Sequence, residues 1–186
     1  KVLDVDLSYA FDIGAFGKIR SAFVGTYLAA FKTTAVQSSP GTAYDCAGYY
    51  GPSCGTPDFR WRHTLRNTWS TPWSGLDLSV AWRFFSAVTL DELSPNANIS
   101  AAAGNTIANG FISNTDARLS SRSYIDLTAA VKVGEKVTVR LGVNNVLDKD
   151  PPLVGTTNLV GGNGNTFPQI YDSLGRYLFA TVTAQF

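Results

Sequence analysis

The residues able to do chemistry are few and scattered. The one histidine, His63, stands between Arg62 and Thr64. A hydrolytic site needs a histidine held beside a serine or cysteine and oriented by a third group. His63 instead sits in an alternating segment that reads as a strand, and it is expected to be a polar residue near the rim of a sheet. Cys46 and Cys54 bound a segment rich in Gly, Pro, Tyr and Ser. Zinc asks for about four ligands, and one histidine with two cysteines falls short. The two cysteines would pair readily in an oxidising compartment, with two free thiols as the alternative. A bridge this short is worth roughly 2–3 kcal/mol at most, so its role would be to hold an exposed loop in shape. Asn145, Asp148 and Asp150 lack the repeated spacing of a calcium loop, and Asp148-Lys149-Asp150-Pro151-Pro152 reads as a strand exit fixed by rigid prolines. Gly161-Gly162-Asn163-Gly164-Asn165 has no strand-to-helix setting that would make it a phosphate cradle. No catalytic residue, metal ligand or cofactor site is expected.

The elements that carry these residues set the class. Aromatic residues make up 12% of the 186 residues, charged residues 16%, and the formal net charge is +1. Nucleic-acid-binding surfaces are usually strongly basic, so that partner is excluded. Mean hydropathy is +0.02, and no run approaches the 18 apolar residues of a membrane helix. Such an average would suit a soluble globule, but strands of a membrane barrel alternate apolar and polar residues and cancel in any window.

Period-two alternation recurs in seven segments. Leu3, Val5, Leu7, Tyr9 and Phe11 oppose Asp4, Asp6, Ser8, Ala10 and Asp12. Ile19, Phe23, Tyr27 and Phe31 oppose Arg20, Thr26 and Lys32. Trp61, Leu65 and Trp69 oppose Arg62, Thr64, Arg66 and Thr68. Leu76, Leu78, Val80, Trp82 and Phe84 oppose Asp77, Ser79, Ala81 and Arg83. Ile125, Leu127, Ala129, Val131 and Val133 oppose Tyr124, Asp126, Thr128 and Lys132. Val137, Val139, Leu141 and Val143 oppose Thr138, Arg140 and Asn144. Leu178, Ala180, Val182, Ala184 and Phe186 oppose Tyr177, Phe179, Thr181 and Thr183. Several segments reach ten residues, where globular strands average five or six and a tilted bilayer crossing takes about 9–11. Short turns at 13–17, 72–75 and 134–136 alternate with long polar stretches at 34–58, 93–120 and 147–171. Outer-membrane barrels have brief periplasmic turns and long extracellular loops. Phe11, Phe16, Trp69, Trp73 and Phe186 fall towards one end, with Tyr27, Phe31, Trp61 and Phe84 towards the other, as two interfacial belts would require. The charged rows must then face a wet interior, because a charge at the lipid midplane costs about 2–4 kcal/mol. The expected fold is all-β: an antiparallel transmembrane β-barrel wall.

The last third adds a resemblance. Leu141-Gly142-Val143-Asn144-Asn145-Val146-Leu147-Asp148-Lys149-Asp150-Pro151-Pro152 resembles the penultimate strand and following turn of TonB-dependent receptors, and Tyr171-Asp172-Ser173-Leu174-Gly175-Arg176-Tyr177 through Phe186 resembles their last strand. Tyr124-Ile125-Asp126-Leu127 and Trp61-Arg62-His63-Thr64-Leu65-Arg66 with Trp69-Ser70-Thr71-Pro72-Trp73 are similar to other strands of that family. The resemblance implies a barrel of about 22 strands plugged by an N-terminal domain. Such a barrel sits in the bacterial outer membrane with its C-terminus on the periplasmic side. It imports siderophore-bound iron, cobalamin or saccharides with energy relayed by the TonB complex. The terminal Phe186 with Ala184, Val182, Ala180 and Leu178 would be the signal read by the barrel-assembly machinery, with the alanines less bulky than is usual.

Residues 1–186 are accordingly expected to be the C-terminal portion of a longer chain. The plug, its TonB-contacting segment and the earlier strands would lie outside it. Seven strands alone would leave two open edges in lipid, where unsatisfied backbone groups are costly. The partners implied are outer-membrane lipid, the rest of the barrel with its plug, the TonB complex through that plug, and the assembly machinery. Ligand contacts would come from the long loops, with Tyr44, Tyr49 and Tyr50 as candidates and a self-packed loop as the alternative. A passive porin or a structural barrel without energy coupling is the competing class, and an uptake receptor is the reading the motifs favour.

Overall fold

A computed structural model describes residues 1–34, 40–73, 75–155 and 164–185. Seven strands form one antiparallel sheet in chain order: β1 (Val2–Asp12), β2 (Lys18–Leu28), β6 (Trp61–Ser70), β7 (Leu76–Phe85), β10 (Arg122–Val133), β11 (Val137–Asn144) and β12 (Tyr177–Ala184). They correspond to the seven alternating segments, with two trimmed ends. β2 stops at Leu28, so Phe31 and Lys32 do not extend it, and Lys32 opens the short strand β3 (Lys32–Thr34). β12 ends at Ala184, and Phe186 lies outside the described residues, as do Gly161, Gly162 and Asn163. No described helix is long and apolar enough to cross a membrane.

Register makes the alternation two-dimensional, because directly paired residues project to the same face. Leu7 pairs with Phe23, Phe23 with Leu65, and Leu65 with Trp82. The same row continues from Trp82 to Ile125. Lower down, Val80 pairs with Leu127, Leu127 with Val143, and Val143 with Leu178. One apolar face therefore crosses the sheet, continuous from β7 to β12 and interrupted between β2 and β6 by the hydrogen-bonded Ser21–Asn67 pair. The aromatic rings on it gather at its two ends. Near the short turns, the Trp69 indole donates to the Phe16 carbonyl at 2.7 Å and meets Trp73 edge-on at 5.7 Å. Near the long connections, Tyr27 pairs with Trp61, and Trp61 stacks on Phe23 at 6.2 Å. The eight residues separating Trp61 from Trp69 along β6 span roughly 27 Å at about 3.4 Å per residue. Tilted by about 40°, that length rises roughly 21 Å, most of the roughly 25 Å apolar band of an outer-membrane barrel.

The long connections are folded rather than open. The first carries β3, β4 (Ala43–Asp45) and β5 (Tyr49–Tyr50), and the second carries β8 (Val88–Leu90) and β9 (Arg118–Leu119). β3 and β4 form a hairpin, and β5, β8 and β9 form a separate sheet with β5 parallel to β8. The hydrophobic core of the chain lies here and not in the wall. Tyr50, Phe59, Val88, Leu90, Ile112, Leu119, Val154, Phe167 and Tyr171 pack with Tyr124. Each loop supplies part of it, and Tyr124 with Phe85 brings in the polar face of the wall. The loops thus close over the polar face as a single cap.

Candidate functional site: the polar face and its loop cap

The cap is tied to the wall through Arg83. Its Nε donates to Asp126 on the neighbouring strand at 2.7 Å, while its Nη1 and Nη2 reach Asp172 in the third loop. The guanidinium also lies 5.0 Å from the centroid of the Tyr124 ring. Asp126 accepts the Asn145 N–H at 2.9 Å as well, so one charge cluster holds β7, β10 and the entry to the last loop. Two forks on one planar cation suit Arg and not Lys.

The Asn145–Lys149 turn closes on itself. Asn145 is buried with φ +49°, its amide donates to the Lys149 carbonyl at 3.0 Å, and its carbonyl accepts the Lys149 N–H at 2.8 Å. Asp148 accepts the Arg176 N–H at 2.7 Å, and the Asp150 carbonyl accepts Arg122 Nε at 3.0 Å. These groups are occupied in shaping the strand exit, and among the described residues no cluster of His, Cys, Asp or Glu could hold a metal.

Cys46 and Cys54 are joined in a disulfide. A second clasp on that loop was not visible in the sequence. Asp91, fully buried, accepts the Ser53 and Cys54 N–H groups on Oδ2 at 2.8 and 2.7 Å. Burial raises its pKa against the lowering by those two bonds. The loop passes so close that a Cβ at Gly51 (φ +138°) would come within 2.3 Å of Asp91 Oδ1, so only glycine fits. Asp91 and Asp172 sit in polar stretches with no period to mark them. The placing of these carboxylates, Asp91 fully buried and Asp172 partly so, follows from how the loops meet.

The tyrosine candidates separate. Tyr50 is a core residue at 0% exposure, its hydroxyl donating to the Asp116 carbonyl and its ring meeting Phe167 edge-on at 5.8 Å. Burial first, then the charge of Asp116, holds its phenol far above the usual range. Tyr44 in β4 and Tyr49 in β5 are half-buried. His63, expected as a rim residue, does stand near the loop end of β6 but on the apolar face. Phe23, Trp82 and Phe84 surround it, and its Nδ1 accepts the Trp61 indole N–H at 2.8 Å. Its parity within β6, opposite Gly25 and Phe84, decides this. Leu178, Ala180, Val182 and Ala184 share the apolar face on the edge strand β12.

Among the described residues, the two larger depressions on the polar face are these. One, of about 380 Å³, lies between cap and wall and is lined by Asp4, Thr26, Phe31, Asp58, Phe59 and Arg62. The Thr26 hydroxyl donates to Asp4 at 2.8 Å, and burial pushes the Asp58 carboxyl up to about 6. The other, of about 430 Å³, lies on the wall between Arg66 and Arg140. Neither pairs a nucleophile with a base. Both offer hydrogen-bonding and charged groups of the kind that bind polar ligands.

No protein-family model and no curated protein matches the chain. Two solved structures of mutants of the ferric enterobactin receptor of Pseudomonas aeruginosa are similar to it. The first aligns over the whole chain with a TM-score of 0.56 and 13% identity. The second, a complex with enterobactin, aligns over 98% with a TM-score of 0.55 and 12% identity. The chain spans 22% of the length of that receptor in each case. At this identity the likeness shows the fold alone: the chain has the all-β, antiparallel architecture of a transmembrane β-barrel wall.

Proposed function

We propose that the chain is the C-terminal wall segment and loop cap of a TonB-dependent outer-membrane receptor. That receptor takes up a scarce nutrient of the siderophore-iron, cobalamin or saccharide class and is not an enzyme. The observation that carries this reading is the apolar face, continuous from β7 to β12 and bounded by two aromatic bands, with short turns at one end and a packed cap at the other. Such a face is stable against hydrocarbon and unstable against water. The open edges of β1 and β12 support a larger barrel, since unpaired backbone groups in lipid cost several kcal/mol each. In this reading the short turns and C-terminus are periplasmic, and the plug and TonB coupling belong to the rest of the polypeptide.

The test begins with the native polypeptide in outer membranes, detected through residues 124–186 on heated and unheated gels. Seven strands in 186 residues is roughly 27 residues per strand, so about 22 strands need roughly 600 residues before any plug. A heat-modifiable band of that size is expected. Deleting the gene should abolish uptake of one labelled substrate, and an uncoupler should do the same in the wild type. Uptake that continues under the uncoupler would make the barrel a passive pore.

A further inference from the structure

We infer that the cleft between cap and wall is a binding site for a small neutral saccharide. Register builds its floor. Asp4, Thr26 and Arg62 stand side by side on β1, β2 and β6, each directly opposite the next on the polar face. Two strand spacings of about 4.8 Å hold the backbones of Asp4 and Arg62 roughly 10 Å apart. Thr26 stands between them, its hydroxyl donating to Asp4 Oδ1 at 2.8 Å. The cap supplies the roof with Phe31, Pro57 and Asp58. Among the described residues, neither the Asp58 nor the Arg62 side chain makes an ion pair, although both line this one cleft. Asp58 is half-buried, so it has given up water, which is costly for a carboxylate without a hydrogen-bond donor. A hydroxyl donated from the cleft relieves that cost.

The groups held apart here select the ligand. Ionised, Asp4 and Asp58 only accept hydrogen bonds, and Arg62 only donates. One acid belongs to the wall and the other to the cap. An anion, a negatively charged ferric chelate included, would meet two carboxylates. A cation would be opposed by Arg62. An amino-acid zwitterion would serve Arg62 and one acid and leave the other acid unserved. A sugar carries no charge and has hydroxyls around its ring, each both donor and acceptor, so it serves all three groups at once. Its C–H faces rest on the apolar lining from Phe31 and Pro57. The volume of about 380 Å³ lies at the small end of ligand pockets, too small for a corrinoid. The cleft is at the loop end of the wall, opposite the short turns. In the proposed orientation a solute entering from outside reaches it.

This site rests on the receptor reading and narrows its nutrient to the saccharide class. It is tested on the full-length polypeptide in an amine-oxide detergent, which has no sugar headgroup to compete. Calorimetric titrations at neutral pH use glucose, galactose, N-acetylglucosamine, maltose and sucrose, with free glycine as the zwitterion and citrate as the anion. Asp58→Asn and Arg62→Gln are measured beside the wild type, and gels of unheated samples confirm that each is folded. Saturable binding of at least one sugar is expected, weakened about tenfold or more by each substitution, with glycine and citrate weaker than that sugar. No saturable sugar binding in the wild type overturns the site. Sugar binding that either variant keeps at full strength, or glycine or citrate binding tighter than every sugar, overturns it too. Energised uptake of another class of solute, without sugar binding, would remove this site and leave the receptor reading standing. Sugar binding with uptake that continues under the uncoupler would keep the site and remove the receptor reading.

Discussion

Leu127, Leu141, Val182 and Leu178 in the wall are 38, 56, 68 and 79% exposed, whereas Val88, Leu90, Leu119 and Tyr50 in the cap are exposed by 1% or less. The same residue types thus serve two regions in opposite ways. Side chains on the apolar face of the wall add nothing to a protein core. They stabilise the molecule only when hydrocarbon covers them, and the sheet itself is held by its hydrogen-bonded ladder. The cap behaves like a small soluble domain, with its own sheets, core, disulfide and buried aspartate. One region takes its hydrophobic stabilisation from the membrane and the other from itself, with Arg83 as the joint between them.

Breaking that joint should have the largest effect. Arg83→Ala leaves Asp126 and Asp172 facing each other without their cation, and we expect a loss of about 3 kcal/mol. Both the unheated gel mobility of the wall and the protease resistance of the cap should fall together. Leu90→Ala should cost the cap about 2–4 kcal/mol. Limited proteolysis should then cut residues 86–121 while the wall keeps its heat-modifiable mobility. A wall that melts with the cap would show that the two regions are one cooperative unit.

Leu127→Arg attacks the other side of the comparison. At mid-wall it should cost about 2–4 kcal/mol and reduce the amount reaching the outer membrane, with no effect on detergent-refolded cap structure. If the variant stays soluble, monomeric and folded without detergent, the wall is not a membrane wall. Cys54→Ser should be milder, at most about 2–3 kcal/mol, because Asp91 still clasps Ser53 and residue 54 through their N–H groups. Protease susceptibility near the bridge should rise with the rest of the cap intact.

The smallest effect is pH dependence at the cleft between the two regions. Burial raises the Asp58 carboxyl to about 6, above the ordinary aspartate value of about 4. The folded cap therefore holds this proton more tightly than the unfolded chain does. Its destabilising contribution is absent below about pH 4, grows between about pH 4 and 6, and is complete above that range. Asp58→Asn should flatten this segment of the pH profile of cap unfolding. An unchanged profile would place the titrating group elsewhere.

Most of the wall was legible because a strand's side-chain period is two and its faces meet different solvents. Leu3 to Phe11 and Leu76 to Phe84 show their faces without help from tertiary contacts. The alternation of short and long connections carried the topology in the same way. Strand ends were less clear: Phe31 continues the apolar period of β2, but the chain has already left the ladder at Leu28. Tyr50 illustrates the limit in the loops. Beside a cysteine and among glycines it reads as a surface tyrosine, and only packing against Phe167 makes it core.

By itself, then, the sequence determined what obeys a local period: seven strands, their two faces, the turns that join them, and two cysteines close enough to pair. The tertiary structure alone decided what depends on residues distant in the chain meeting. That includes the cap core drawn from three loops, the Asp91 clasp, and the sharing of Arg83 by Asp126 and Asp172. Periodicity is written residue by residue, but register and loop docking are fixed by the free energy of the whole assembly.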